Sequence, residues 1–138
     1  MKEVVRNIFD AKTYAVIGVS RDEKKVGNII FKNLLNSNKK VIGINPNTKK
    51  ILNQEIFSDL IETPYNIDVI IIASPAKTIP LILRQAGKRK IKYAIIISAG
   101  FSESNNKELE EHIKRIAIEE NIRILGPNSF GIIDTSQN

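Results

Sequence analysis

The 138-residue chain carries 21 lysines and arginines against 15 aspartates and glutamates, a net charge of +6, and 42% of its residues are hydrophobic. These values are typical of one soluble globular domain spanning residues 1–138. No apolar run approaches twenty residues and no apolar leader follows Met1, so we expect neither a membrane span nor a secretory signal. We therefore expect a cytoplasmic protein. Cysteine is absent, which excludes disulfides, thiolate metal sites and a thiol nucleophile. Aromatic residues make up 6% and do not alternate with basic residues, which argues against a stacking platform for single-stranded nucleic acid.

The first half of the chain alternates strand-like and helix-like patterns. In chain order we predict a helix over Met1–Ala11, a strand over Tyr14–Val19, a helix over Val26–Asn36 and a strand over Lys40–Ile44. The second of these helices is predicted to turn Ile29, Ile30, Leu34 and Leu35 toward the sheet. The loop Thr48–Thr63 that follows is predicted to include a short hairpin over Ile51–Phe57 and a helical turn at Asp59–Ile61.

The second half of the chain continues the same alternation. We predict strands over Val69–Ala73, Tyr93–Ile97 and Arg123–Leu125, helices over Lys77–Lys88 and Asn106–Glu120, and a short final strand over Phe130–Ile133. The first of these helices is predicted to make Ile79, Leu81, Ile82 and Ala86 available to the core. Strands that alternate with helices of ten or more residues imply a parallel sheet with right-handed crossovers. The sequence therefore predicts a Rossmann-type, doubly wound α/β fold, with a mainly parallel five-stranded sheet and helices on both faces. Such folds bind ligands beyond the carboxyl ends of the strands.

The segment from Gly18 to Gly27 follows the first strand and opens a helix, which is the order of a phosphate-binding loop. Glycine lets the backbone approach an anion, and the helix N-terminus offers unpaired N–H groups and a positive dipole. A nicotinamide dinucleotide site would place Asp or Glu at the end of the next strand. Here that strand runs into Asn45-Pro46-Asn47, with Lys49 and Lys50 beyond. The pattern favours a nucleotide that carries an extra phosphate on this side.

Small residues also follow three later strands. They form the segments Ser74-Pro75-Ala76, Ser98-Ala99-Gly100-Phe101 and Gly126–Gly131. Turn geometry alone explains any one such segment. Together at one edge of a sheet, however, they leave backbone N–H groups within reach of a ligand.

In their order along the chain these segments resemble the CoA-binding domain at the N-terminus of NDP-forming acyl-CoA synthetases, which include acetate–CoA ligase (ADP-forming). The α subunit of succinyl-CoA synthetase and some protein acetyltransferases share this domain. The motifs that carry the resemblance are Ala15–Asp22 with Lys25-Val26-Gly27, Ile44-Asn45-Pro46, Ala73–Ala76, Ile97–Phe101 and Leu125–Ile132. The resemblance covers nearly the whole chain and implies coenzyme A, or an acyl-CoA, as the ligand.

The resemblance also implies where the parts of the ligand lie. The glycine loop would contact the nucleotide phosphates, the segment after the second strand would lie by the adenosine and its 3′-phosphate, and the loops at Ser74 and Ser98 would line the ribose and pantetheine path. Asn128 would border the thiol end. The candidate cofactor-binding residues are Gly18, Val19, Ser20, Arg21, Lys25, Val26, Gly27, Asn45, Pro46, Asn47, Lys49, Lys50, Ser74, Pro75, Ala76, Ser98, Ala99, Gly100 and Asn128. A bulky residue at Gly18 is expected to block the phosphates while the sheet still folds.

The chain departs from the family pattern at two positions. The family often has lysine directly after Asn-Pro, whereas this chain has Asn47, so whether Lys49 or Lys50 reaches the 3′-phosphate is open. Where the family often has cysteine, this chain has Ser129, which excludes thiol chemistry there.

The sequence supplies no complete set of catalytic groups. NDP-forming synthetases pass a phosphoryl group through a histidine of a later domain, and the single histidine here, His112, is expected to face solvent on a helix. With no catalytic residue and no metal site assigned, the chain alone is not expected to be a complete enzyme.

The sequence is compatible with three functions. We predict a protein that binds CoA or acyl-CoA without turnover. The first alternative is the CoA-binding subunit or fragment of an ADP-forming acyl-CoA synthetase, working with ligase and ATP-grasp domains or subunits. The lesser alternative is an NAD(H)-binding redox protein. We expect no nucleic-acid or membrane partner, and self-association is left open.

Overall fold

The computed structural model describes residues 2–98, 107–126 and 132–133, and within them strands and helices alternate along the chain. In chain order the elements are α1 (Lys2–Asp10), β1 (Thr13–Ile17), α2 (Val26–Leu35), β2 (Lys40–Ile44), β3 (Lys50–Ile51), β4 (Gln54–Phe57), β5 (Val69–Ile72), α3 (Ile79–Lys88), β6 (Tyr93–Ile96), α4 (Lys107–Glu119), β7 (Arg123–Leu125) and β8 (Ile132–Ile133). A 3₁₀ turn over Ala76–Thr78 leads into α3.

One sheet holds all of these strands in the order β3-β4-β2-β1-β5-β6-β7-β8. The six inner strands pair in parallel, and the outermost strands β3 and β8 pair antiparallel. Ile17 at the end of β1 lies opposite Ile44 of β2 and Ile72 of β5, so the three strands end level with one another. The chain moves outward from β1 to β2 on one side and resumes at β5 on the other. Strand β1 therefore marks the switch point at which such sheets bind ligands.

The predicted doubly wound, mainly parallel architecture is confirmed, but the sheet has more than the five predicted strands. The predicted hairpin forms as β3 and β4, with Ile51 opposite Gln54. Strand β4 then pairs in parallel with β2, with Ile56 opposite Gly43, and so extends the sheet beyond the predicted edge. The helical turn predicted at Asp59–Ile61 is instead an irregular turn, closed by the Thr63 N–H, which donates to the Leu60 carbonyl at 3.3 Å.

Helices cover both faces of the sheet. On one face α3 and α4 pack against the sheet, and their fully buried residues include Ile79, Leu83, Ile113 and Ile116. On the other face Val4 and Ile8 of α1 pack near β1 and β5, and Phe31 of α2 packs against Val16 and Ile56. None of the helices in the described ranges is both long and apolar enough to span a membrane.

In each of two helices, one apolar residue that was predicted to face the core is exposed. In α2 the fully buried side chain is Phe31, whereas Ile29, predicted to face the sheet, is 45% exposed. In α3 Ile79, Ile82 and Ala86 are buried as predicted, but Leu81 is 66% exposed and Leu83 is buried in its place. Apolar residues cover more than one face of each helix, so periodicity alone did not fix the buried face.

Candidate functional site

The end of β1 requires glycine. Gly18 has φ +91°, a conformation that side chains disfavour. Its N–H donates to the Ile44 carbonyl at 3.0 Å, and a Cβ at this position would lie 2.6 Å from the backbone nitrogen of Ser74. The prediction that a bulky residue here would leave the sheet intact is therefore wrong, because such a residue would collide with the backbone of Ala73 and Ser74, directly after β5.

The loop after Gly18 is held by its own short-range hydrogen bonds. The Asp22 N–H donates to the Ser20 Oγ at 3.1 Å, and the Lys24 N–H donates to the Asp22 Oδ1 at 2.9 Å. Lys25 then precedes the first turn of α2 in an extended conformation, and no side chain in the described ranges caps the helix. An uncapped N-terminus beside a glycine turn is the arrangement that favours anion binding.

Two amide side chains hold the same loop through hydrogen bonds to its backbone carbonyl groups. Asn28, only 3% exposed, donates through Nδ2 to the Ser20 carbonyl at 2.8 Å. Asn45, at the end of β2, donates through Nδ2 to the Val19 carbonyl at 2.7 Å and accepts the Asn47 N–H at 2.7 Å. Asn45 thus holds the loops after β1 and β2 together, which gives this position a structural role beyond the predicted contact with ligand.

Gly27 brings helix α2 against the end of β1. A Cβ on Gly27 would lie 2.1 Å from the Gly18 carbonyl oxygen, so the two backbones are in direct contact. Gly27 is buried, whereas the neighbouring Val26 is 53% exposed. The second glycine therefore positions the helix N-terminus over the strand rather than lining the space above it.

A cleft of about 690 Å³ opens at the carboxyl edge of β4, β2, β1 and β5. Its lining includes nine of the predicted site residues: Gly18, Val19, Ser20, Lys25, Asn45, Pro46, Asn47, Ser74 and Pro75. The volume is within the range of ligand-binding pockets for small molecules. The structure thus brings the loops after three strands to one cavity, as the sequence predicted.

Ten further residues line this cleft and were not among the predicted site residues. They are Ile17, Ile44, Ser58, Asp59, Leu60, Ala73, Thr78, Leu81, Ile82 and Gln85. Most come from the turn after β4 or from α3. Asp59 follows β4, and the parallel pairing of β4 with β2 brings the turn after β4 to this edge, but the sequence carries no signal of that pairing.

Other predicted residues lie beside the cleft rather than in its lining. Arg21 is exposed and reaches the Lys50 carbonyl through Nη2 at 3.4 Å, and Lys49 and Lys50 are exposed beside it. Ser98 is 4% exposed and donates to the Ile72 carbonyl at 3.2 Å, and Ala76 is 8% exposed. Of the remaining candidates, Ala99, Gly100 and Asn128 lie outside the described residues.

The loop after β5 is stabilised by two hydroxyl groups. The Ser74 Oγ and the Thr78 Oγ1 lie 2.7 Å apart, and the Thr78 hydroxyl donates to the Pro75 carbonyl at 2.6 Å. These bonds close the 3₁₀ turn that leads into α3 and set the start of that helix beside the cleft. His112 is exposed on α4, in agreement with the sequence prediction, and does not line the cleft.

A second cavity, of about 430 Å³, lies at the opposite edge of the sheet. Its lining includes Lys12 and Asp68, and the Asp68 Oδ2 accepts the N–H groups of Lys12 and Thr13, each at 3.0 Å. None of the predicted site residues that the structure describes lines it. Asp68 ties the start of β1 to the start of β5, so this edge has an evident structural role.

Comparison with known proteins gives consistent matches over most of the chain. A family model described as a CoA binding domain matches residues 12–135. The acetate–CoA ligase (ADP-forming) of Methanocaldococcus jannaschii is 43% identical over 127 residues, which are 92% of this chain and 18% of that protein. The acetate–CoA ligase (ADP-forming) II subunit alpha of Pyrococcus furiosus is 35% identical over 133 residues, which are 94% of this chain and 29% of the subunit.

Among solved structures, the dinucleotide-forming acetyl-coenzyme A synthetase 1 of Candidatus Korarchaeum cryptofilum, in complex with phosphate and ADP, superposes with a TM-score of 0.82 at 33% identity. The match covers 90% of this chain and 27% of that one. The chain therefore spans between about a fifth and three tenths of the length of these relatives.

Proposed function

Because the chain belongs to the CoA binding domain family, we propose that it binds coenzyme A or an acyl-CoA in the cleft at the carboxyl edge of β4, β2, β1 and β5. The observation that carries the proposal is the uncapped N-terminus of α2, packed through Gly27 onto the positive-φ Gly18 at the switch point of the sheet. This places backbone N–H groups and a helix dipole at one wall of a cavity large enough for part of a nucleotide.

Each part of the ligand has a candidate partner in the cleft. The pyrophosphate would lie on the backbone of Gly18–Ser20, with the Lys25 ammonium as its counter-charge. The adenosine would lie beyond Asn45–Asn47, and Ser74 and Pro75 would line the ribose and pantetheine path. Ala99, Gly100 and Asn128 remain candidates for the distal part of the pantetheine arm.

The 3′-phosphate needs a basic surface at the mouth of the cleft. It contributes a charge of about −1.5 to −2 at neutral pH. Lys25 lines the cleft, whereas Lys49, Lys50 and Arg21 lie on the exposed surface beside it, where Arg21 joins the phosphate loop to β3. We assign the 3′-phosphate to the mouth of the cleft between Lys25 and this exposed group, rather than to the interior.

The ligand titration that tests the proposal uses CoA, dephospho-CoA and NAD with the purified chain. We expect CoA to bind at least about tenfold more tightly than dephospho-CoA, equivalent to about 1.4 kcal/mol, because only CoA engages the basic mouth. The double variant Lys49→Gln/Lys50→Gln should reduce this preference, whereas Lys88→Gln, an exposed position at the end of α3, should leave it unchanged. Equal affinity for CoA and dephospho-CoA would contradict the assignment of the 3′-phosphate, and absence of CoA binding would contradict the function.

A second candidate function follows from the lengths of the relatives. The chain matches 18% of a curated acetate–CoA ligase (ADP-forming) and 29% of a subunit alpha, so it corresponds to one part of such proteins. We infer that it is the CoA-binding part of an ADP-forming acyl-CoA synthetase that works with ligase and ATP-grasp partners. The chain alone should bind CoA yet form no acyl-CoA from acetate, ATP and CoA, as followed by chromatography of the thioester. Turnover by the isolated chain would contradict this inference.

A further inference from the structure

The crossover from β4 to β5, residues 58–68, is described throughout and contains no helix. A parallel crossover usually satisfies its backbone groups within a helix. Here the Arg89 guanidinium donates to four backbone carbonyls of the crossover, those of Leu60, Ile61, Thr63 and Tyr65. The shortest of these bonds join Arg89 to Thr63 at 2.6 Å and to Tyr65 at 2.7 Å. Arginine suits this task because it carries five N–H donors in a rigid plane.

The start of the crossover forms one wall of the cleft. Ser58, Asp59 and Leu60 line the cleft, whereas Arg89 does not. Leu60 therefore belongs both to the wall and to the set of residues whose carbonyls Arg89 holds. Arg89 follows the last residue of α3, one helical turn beyond Gln85 of the cleft lining. The guanidinium thus acts on the wall from outside the cleft.

The wall is a closed turn with a shape of its own. The N–H and the hydroxyl of Thr63 both donate to the Leu60 carbonyl, at 3.3 Å and 2.9 Å. The Glu62 N–H donates to the Asp59 Oδ1 at 2.9 Å. These bonds are internal to the turn, so they fix its shape but not its position relative to the sheet. Strand β4 fixes where the turn begins, and Arg89 joins its far end to α3.

The crossover also has anchors that do not depend on Arg89. Leu60 is 1% exposed and Ile67 is 8% exposed, and both belong to the main core cluster. The Lys40 Nζ lies 3.3 Å from the centre of the Tyr65 ring. Loss of the guanidinium should therefore leave the fold in place while it releases the position of the wall.

We propose that Arg89 is a positioning residue for the cleft: it contacts no ligand and holds the wall of Ser58, Asp59 and Leu60 in its binding conformation. The inference rests on the proposed binding of CoA and adds the residue that preorganises its site. A wall that is already ordered before the ligand arrives loses less conformational freedom on binding, which raises the affinity. Without Arg89 the ligand must order the wall, so the affinity falls.

Calorimetric titration of the full chain with CoA tests this role, and Arg89→Lys is the decisive variant. Lysine keeps the positive charge but replaces the planar fork with one ammonium group, which cannot reach four carbonyls together. Arg89→Lys should bind CoA about tenfold more weakly than the wild type, and Arg89→Ala at least as weakly as Arg89→Lys. Arg84→Lys is the matched control, because Arg84 lies in the same helix and pairs with Glu119 and Glu120 instead. Its affinity for CoA should be unchanged.

Amide hydrogen exchange distinguishes positioning from a general loss of structure. In Arg89→Lys without ligand, the amides of residues 59–65 should exchange faster than in the wild type, while β1 and β5 keep their protection. Saturating CoA should restore the protection of residues 59–65, because binding orders the wall. A merely structural defect would spread into the strands and would not be reversed by the ligand.

The outcomes separate this inference from the function on which it rests. If the wild-type chain bound no CoA, the proposed function would fail and the role of Arg89 with it. If the wild type bound CoA and both Arg89 variants retained its affinity, only the positioning role would be overturned. Equal exchange of residues 59–65 in the wild type and Arg89→Lys would also overturn it. Unfolding of both variants would assign Arg89 to the fold rather than to the cleft.

Discussion

The backbones of Gly18 and Gly27 are in contact, because the Gly18 carbonyl oxygen occupies the space where a side chain on Gly27 would lie. The Cβ of any other residue at Gly27 would lie 2.1 Å from that oxygen, and one at Gly18 would lie 2.6 Å from the Ser74 nitrogen. These neighbours are backbone atoms of the sheet edge, which cannot rotate away. The two glycines are therefore required where α2 and the segment after β5 pack against the end of β1. This packing determines the conformation of the phosphate loop.

Gly27→Ala should destabilise the fold by about 1–3 kcal/mol, because the methyl group must displace the end of β1. Gly87→Ala is the matched comparison, since Gly87 is also helical and a Cβ there would lie 1.9 Å from the Glu120 Oε2, the end of a side chain that can turn away. The Gly87→Ala change would disturb the partly buried Arg84–Glu120 ion pair, and this cost is offset by alanine's higher helix propensity of about 1 kcal/mol. Denaturant unfolding measures the free energy of unfolding of both variants and of the wild type. Similar stability of Gly27→Ala and the wild type would show that the contact between the glycines is not needed.

At the level of elements, the apolar strands and the glycine loop could be predicted because both depend on local pattern. β1, β2, β5 and β6 were predicted within one or two residues, since strands buried on both faces are continuous apolar runs. The pairing of β4 with β2 could not be predicted, because four residues with a charged Glu55 carry no signal of a parallel partner. Tertiary pairing, rather than propensity, decides the position of such short strands.

The same distinction explains which part of the cleft was predicted. The loops after β1, β2 and β5 were found because small residues after a strand are visible in the sequence. Leu81 and Gln85 were not assigned to the site, because helical periodicity suggests which face is apolar but not which residues extend past the sheet edge. Leu81 was predicted to face the core and instead lies 66% exposed at the cleft.

At the scale of the whole molecule, the two edges of the sheet differ in what they carry. The carboxyl edge has the cleft, with the N-terminus of α2 beside it. The opposite edge is tied together by side chains: Asp68 accepts two backbone N–H groups at the start of β1, and Asn7 of α1 donates to the Tyr93 hydroxyl at 2.7 Å. Tyr14 also links elements at this opposite edge, because its hydroxyl donates to the Ile8 carbonyl and so connects α1 to β1.

Burial, and then the nearby charges of Asp68 and Asp10, raise the pKa of Tyr14 above its usual value of 10.0. The folded state therefore holds the phenol proton more tightly than the unfolded state. The resulting stabilisation is complete below pH 10 and is lost as the pH rises through the higher pKa of the folded protein. Tyr14→Phe should cost about 1 kcal/mol at pH 7, through loss of the hydrogen bond to Ile8, and the cost should shrink above pH 10.

Urea unfolding of the wild type and of Tyr14→Phe between pH 7 and pH 11 measures how the difference in their free energies of unfolding decreases with pH. The difference in stability between the two proteins is the relevant quantity, because every other titratable group is present in both. Tyr65→Phe serves as the control, since Tyr65 is 38% exposed and its hydroxyl makes no hydrogen bond among the described residues. A stability difference for Tyr14→Phe that stayed constant up to pH 11 would show that the Tyr14 proton is held equally in both states, and that the contact between α1 and β1 does not depend on it.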